Sequence, residues 1–185
     1  VFDMADVASV SFSDVVGFTN WSSTRTSEEV VQMVSALTSA YDGAAKECHV
    51  AKVKTIGDAY WAISGLPEPS ILCAERICNF ALMQQELLGT LNDQNPQWKG
   101  IQLRVGCHTG QLVGGVVGSR QLSYEVFGET NHVAERHEQK APVGGVLVSE
   151  LTMERARSGK FDFALSATVV TEGSKAYVVS RERFS

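Results

Sequence analysis

The sequence predicts an α+β domain, a mostly antiparallel sheet covered by helices, and three observations carry the prediction. Runs rich in Val, Ile and aromatic residues come in pairs joined by short Gly-containing tips, the pattern of hairpins. Two long stretches, one from about Ser27 and one from about Ser70 to Leu91, repeat apolar residues at steps of three and four, the mark of helices with one buried face. The elements follow as strand, helix pair, hairpin, helix, hairpin, helix and strand, which is not the alternation of a doubly wound fold.

Residues 7–13 run apolar and then meet Asp14 and Gly17, a strand ending in a turn suited to phosphate. The helix that follows takes Ser27 as its expected N-cap, with Glu28 and Glu29 in the first turn and Val30, Val34, Leu37, Tyr41 and Ala44 as its buried face. Residues 50–56 and 59–65 read as a hairpin with Gly57-Asp58 at the tip. After Pro67-Glu68-Pro69, the second long helix buries Ala74, Ile77, Cys78, Ala81 and Leu82. Ile101, Leu103, Val105 and Cys107 alternate with polar or small residues. Gly110 is then expected to turn the chain into Leu112–Val117 as a second hairpin. A helix over about Thr130–Lys140, a strand at Val146–Val148, a short helix from about Glu150, and strands near Phe161–Val170 and Lys175–Ser180 complete the sequence. There is no internal repeat.

With 185 residues and 44% hydrophobic content, the chain suits a single domain spanning residues 1–185. A net charge of −5 argues against nucleic acid or an anionic membrane surface as partner, so any anion must be held locally. Cys48, Cys73, Cys78 and Cys107 have neither paired metal-ligand spacing nor disulfide-scaffold density, and are expected to be reduced, buried thiols. Without a bilayer-length apolar run or a signal-peptide pattern, the expectation is a cytosolic domain excised from a longer protein.

The chemistry centres on Asp14 and Asp58. Magnesium takes oxygen ligands and commonly uses one or two carboxylates plus phosphate oxygens. If the first strand lies beside the first hairpin, these two aspartates supply that pair, and the backbone amides of Gly17, Phe18 and Thr19, ahead of a helix, favour a polyphosphate. Taken singly, each aspartate also fits an ordinary turn.

The segments Phe12-Ser13-Asp14-Val15-Val16-Gly17-Phe18-Thr19 and Lys52-Val53-Lys54-Thr55-Ile56-Gly57-Asp58-Ala59-Tyr60, followed by Ser64-Gly65-Leu66-Pro67, resemble the signatures of class III nucleotidyl cyclases, the adenylate and guanylate cyclase catalytic domains. The resemblance continues through Leu103–Gly110, Gly114–Gly118 and Tyr124–Thr130. It implies a ferredoxin-like cyclase fold, active as a head-to-tail dimer. The implied reaction is intramolecular: the ribose 3′-oxygen attacks the α-phosphate, closes a cyclic 3′,5′-monophosphate and expels pyrophosphate.

By that resemblance Asp14 and Asp58 hold two Mg²⁺ ions, with Mn²⁺ able to substitute. Arg120 matches a phosphate-binding arginine, and Arg136 one that stabilises charge developing on the phosphates. Lys54 takes the position that selects the purine. Guanylate cyclases carry a glutamate there, whereas a lysine donates to adenine N1, and Glu125 can accept from the adenine 6-amino group. ATP is the expected substrate, with GTP, or a weakly active or non-catalytic regulatory module, as alternatives.

The pattern breaks at two places. His132 stands where most members have an asparagine that orients the ribose, and Asn131, turned by about 100° on a helix, does not simply replace it. Near the C-terminus Thr171 or Glu172 takes the place of a lysine that contacts the triphosphate, and Lys175 comes several residues late. His49, His108, His137, Glu135 and Glu138 are assigned no chemistry, the two glutamates being expected on a solvated helix face. Since the chain carries both halves of the family's site, the resemblance implies a homodimer with active sites shared across the interface. It also implies an upstream regulatory or membrane module in the full-length protein.

Overall fold

The computed structural model describes residues 2–157 and 159–182. In chain order these form β1 (Phe2–Val15), α1 (Phe18–Ser23), α2 (Ser27–Glu47), β2 (Ala51–Ile56), β3 (Ala59–Ser64), α3 (Cys73–Gln94), a 3₁₀ turn at Pro96–Trp98, and β4 (Leu103–Val117). The second half holds β5 (Ser123–Phe127), α4 (Glu129–Lys140), β6 (Val146–Ser149), α5 (Glu150–Arg155), β7 (Phe161–Leu165) and β8 (Ala176–Arg181).

One sheet runs in the order β2-β3-β1-β4-β6-β8-β7, and β5 pairs with the far end of β4. Among the described pairings only β4 with β6 is parallel. The expected α+β architecture is therefore present as a mixed, mainly antiparallel sheet. No helix among the described residues is long and apolar enough to cross a membrane.

Helices α2, α3 and α5 cover one face, where Met33, Leu37, Tyr41, Ile77, Phe80, Ala81 and Met153 pack on Tyr60, Ala62, Leu103, Val105, Cys107 and Val148. On the opposite face α4 contributes Ala134 to a smaller cluster with Val10, Ile63, Leu112 and Val126. All four cysteines are free and buried, as expected.

Several local expectations need correction. The N-cap of α2 is Thr26, one residue before Ser27, because Glu29 is placed to close a capping box: Thr26 Oγ1 accepts from the Glu29 amide, and Glu29 Oε2 accepts from the Thr26 amide at 2.8 Å. Met33 lies fully inside, whereas Val30 and Val34 are only partly covered. Helix α3 begins at Cys73, not Ser70, and β7 stops at Leu165, well short of Val170.

Gly110 makes no turn. It lies inside the 15-residue strand β4, and the hairpin connects β4 to β5 through residues 118–122. Gly110 is glycine because α4 comes close: a Cβ there would stand 2.6 Å from Thr130 Oγ1, which donates to the Gln111 carbonyl at 2.7 Å. Gly106 is closer still, since a Cβ at that position would overlap the Glu138 backbone. Gly106→Ala must therefore lift α4 off the sheet or distort β4. An overpacking cost of about 3 kcal/mol is expected, read as a drop of roughly 6–12 °C in melting temperature for a domain of this size.

Candidate active site

Strands β1 and β3 pair in register from Ser9↔Ser64 to Ser13↔Tyr60, which brings the end of β1 against the β2–β3 tip. The Val15 amide donates to Asp58 Oδ2 at 3.1 Å, so the Asp58 carboxylate is fastened beside Asp14. Burial, reinforced by the neighbouring Asp14 carboxyl, pushes Asp58 from its usual range up to about 7. The two groups offer oxygen donors only, and among the described residues no cluster of three His, Cys, Asp or Glu side chains is placed to hold a metal. Two crowded carboxylates whose remaining coordination must come from water or phosphate oxygens fit a hard divalent cation such as Mg²⁺.

A third carboxylate and an arginine complete this corner, and neither was assigned a role from the sequence. Arg104 lies across from Asp14 in the β1–β4 ladder, with Nη2 3.9 Å from Asp14 Oδ2 and Nε 3.3 Å from Glu138 Oε1. Glu138 is 7% exposed, not on a solvated face. Burial raises its carboxyl to about 7 against the pull of Arg104, with Asp14, Glu135 and Asp58 adding to the rise. The Arg in Leu103-Arg104-Val105 was visible as a charged residue alternating with core positions, but its partners depend on strand register and on where α4 crosses.

The chain runs from Asp14 through Val15 and Val16 to Gly17, which adopts φ +70° and caps the short helix α1. Phe18 and Thr19 are its first residues, so their amides lack intrahelical acceptors. Lys54 and Glu125, from β2 and β5, meet directly: Lys54 Nζ donates to Glu125 Oε2 at 2.8 Å. Bonds from Lys54 and from Ser123, the latter at 3.0 Å, hold the Glu125 carboxyl below its ordinary range.

Helix α4 presents His132 to solvent, while Arg136 pairs with Glu129 at 3.0 Å. Asn131 is buried instead, its amide nitrogen donating to the Val126 carbonyl at 3.0 Å. It cannot take over from His132. Arg120 is exposed in the β4–β5 turn, Thr171 and Glu172 lie in the loop before β8, and Lys175 pairs with Glu150 at 3.4 Å. His108 and His137 stack beneath α4 with ring centroids 6.1 Å apart. Burial lowers His108 to about 4, which keeps it neutral near pH 7.

A carboxyl whose pKa is higher in the folded than in the unfolded chain binds protons preferentially when folded. Its contribution to stability is therefore lost as pH rises through the interval from about 4 to about 7. In chelator-treated protein, the melting temperature of Asp58→Asn minus that of the parent should grow between pH 5 and pH 8. A rise of about 2–4 °C is expected, roughly 1 kcal/mol for a domain of this size. A difference that stays flat with pH would show that Asp58 gains no such penalty from burial and Asp14.

Against this geometry, the profile of the adenylate and guanylate cyclase catalytic domain matches residues 2–180. An adenylate cyclase of Mycobacterium tuberculosis is 36% identical over 165 residues, 89% of this chain and 36% of that protein. Guanylate cyclase 32E of Drosophila melanogaster is 37% identical over 150 residues, 80% of this chain and 13% of that protein. The chain thus spans little more than a third, or less, of these relatives. Among solved structures, the guanylate cyclase domain of RhGC from Catenaria anguillulae in complex with GTP superposes with a TM-score of 0.89 at 29% identity, covering 98% of this chain and all of that one. The adenylyl cyclase CyaB of P. aeruginosa reaches the same TM-score at 19% identity, with 99% and 97% covered, a likeness of fold. The profile match over nearly the whole chain, on a sheet that sets Asp14 beside Asp58 and Lys54 beside Glu125, places this chain in the adenylate and guanylate cyclase catalytic domain family.

Proposed function

We propose that the domain converts ATP to 3′,5′-cyclic AMP and pyrophosphate at a site shared between two copies of the chain. The observation that carries the choice of base is the Lys54–Glu125 pair. A donor and an acceptor side by side match adenine, whose N1 accepts and whose adjacent 6-amino group donates. Guanine would fit the same pair only in an inverted pose, with Lys54 on O6 and Glu125 on N1–H. The relatives named guanylate cyclases make that the second reading.

Asp14 and Asp58 would hold the divalent ions, which when bound supply positive charge that lowers the pKa of the ribose 3′-hydroxyl and offsets the triphosphate. The amides of Gly17, Phe18 and Thr19 would bind the phosphates beside that corner. Arg120, exposed in the β4–β5 turn, would bind a phosphate, and Arg136 would leave Glu129 to stabilise charge on the α-phosphate. His132, on the exposed side of α4 four residues before Arg136, would orient the ribose. The metal pair and the Arg136 helix belong to opposite halves of the composite site, and a homodimer of two-fold symmetry builds two such sites.

Turnover of ATP and of GTP, measured separately with Mg²⁺ and with Mn²⁺, should favour cyclic AMP. Equal or greater cyclic GMP production would overturn the adenine assignment. A subunit carrying Asp14→Asn with Asp58→Asn, mixed with an Arg136→Ala subunit, should regain roughly a quarter of parental activity, because half of the dimers are mixed and each keeps one intact site. No recovery in demonstrated mixed dimers would refute the shared site.

Because an amide offers a donor and an acceptor where a neutral imidazole offers one of each on a larger, differently angled ring, His132→Asn should raise turnover severalfold, read as kcat with ATP. An unchanged kcat would remove His132 from the ribose site.

A further inference from the structure

Strand β2 carries a bulge. Lys52 faces Ala62 on β3, yet Lys54, and not Val53, faces Trp61, so one extra residue is inserted in β2. Without it Val53 would oppose Trp61, and Lys54 would fall on the other face of the sheet. The bulge therefore starts a row across the sheet: Lys54 opposite Trp61, Trp61 opposite Phe12, and Phe12 opposite Gly106, the position on which α4 rests. Phe12 and Trp61 stack with centroids 5.2 Å apart and planes 18° from parallel. Lys54 Nζ stands over the indole, 5.5 Å from the ring centroid. The Trp61 indole nitrogen is sealed from solvent and has no hydrogen-bond partner.

We propose that Trp61 is a positioning residue for purine selection: its ring face, braced by Phe12, holds the Lys54 ammonium beside Glu125 so that donor and acceptor meet the base as a fixed pair. The proposal rests on the assignment of Lys54 and Glu125 as base readers. A lysine has four rotatable bonds, and ordering them at the moment of binding costs affinity that a preset ammonium does not lose. An exposed lysine on a strand would spread over many rotamers. Here one side of the ammonium is taken by an aromatic face and another by a carboxylate, which leaves a narrow set of directions for the remaining N–H bonds. Phe12 belongs to β1, so the brace anchors the base reader to an inner strand of the sheet. The effect falls on selectivity because ATP and GTP share every contact except those to the base.

The test is equilibrium binding, to the whole chain with Mg²⁺, of α,β-methylene analogues of ATP and GTP, which cannot lose pyrophosphate and so report selection without turnover. Trp61→Leu removes the π face, and the preference for the adenine analogue should fall by about three- to tenfold. Trp61→Phe keeps a face and should stay within about twofold of the parent. In a Lys54→Ala background Trp61→Leu should cause no further loss, since Trp61 acts only through the ammonium. If Lys54→Ala lowers the preference but Trp61→Leu does not, the role of Trp61 is overturned and the base reading stands. If Lys54→Ala leaves the preference unchanged, both fall. An undiminished effect of Trp61→Leu in the Lys54→Ala background would reduce Trp61 to a packing residue. Should Trp61→Leu not fold, Trp61→Met is judged by the same outcomes.

Discussion

The close approach of α4 to the centre of β4 is the constraint on which the rest of the domain depends. At Gly106 no side chain stands between helix and sheet, so the helix backbone itself rests on the strand, and at Gly110 the Thr130 side chain reaches in to the strand. That contact fixes the height and rotation of α4, and with them the outward placement of His132 and Arg136 and the inward placement of Asn131, Ala134, His137 and Glu138. A helix standing further off would leave Glu138 in water and break its approach to Arg104. The polar corner at the end of β1 is thus a product of packing on the opposite strand.

That corner holds more negative than positive charge. Asp14, Asp58 and Glu138 share one nearby guanidinium, Arg104, and Glu138 and Arg104 approach without forming a hydrogen bond through Oε1 and Nε. In water such an imbalance would be screened, but with partial burial it appears as the raised carboxyls of Asp58 and Glu138. A site of this kind is tolerated in the fold because a large core on the other side of the sheet, from Met33 and Tyr41 to Phe80 and Ile77, supplies the stability.

Much of this was legible in the sequence where a local signal existed. Asp14 and Asp58 sit at turn signals after strand-like runs, and the apolar periods of α2 and α3 mark their buried faces. Sequence and structure part where three-dimensional context overrides local grammar. Gly110 looks like a turn residue because glycine usually is one, yet here it answers a helix twenty residues later. Glu138 looks solvated because glutamate usually is, yet its neighbour in space is Arg104. The bulge at Val53 leaves no mark in composition, since the strand reads as plausibly with either register. The base pair Lys54–Glu125 was anticipated residue by residue only through the family resemblance; nothing in spacing alone joins positions 54 and 125.

Thr130 closes the first turn of α4 onto the sheet by donating to the Gln111 carbonyl, on the stretch of β4 between its pairings with β6 and β5. The helix thereby fills part of a strand edge that would otherwise be bare, and its start is spliced into the ladder. A helix attached in this way has no cheap swinging motion of its own: to shift, it must expose a carbonyl and pull its backbone from Gly106. Any change in where His132 and Arg136 stand therefore requires the sheet to move with them, because α4 is carried along as part of it.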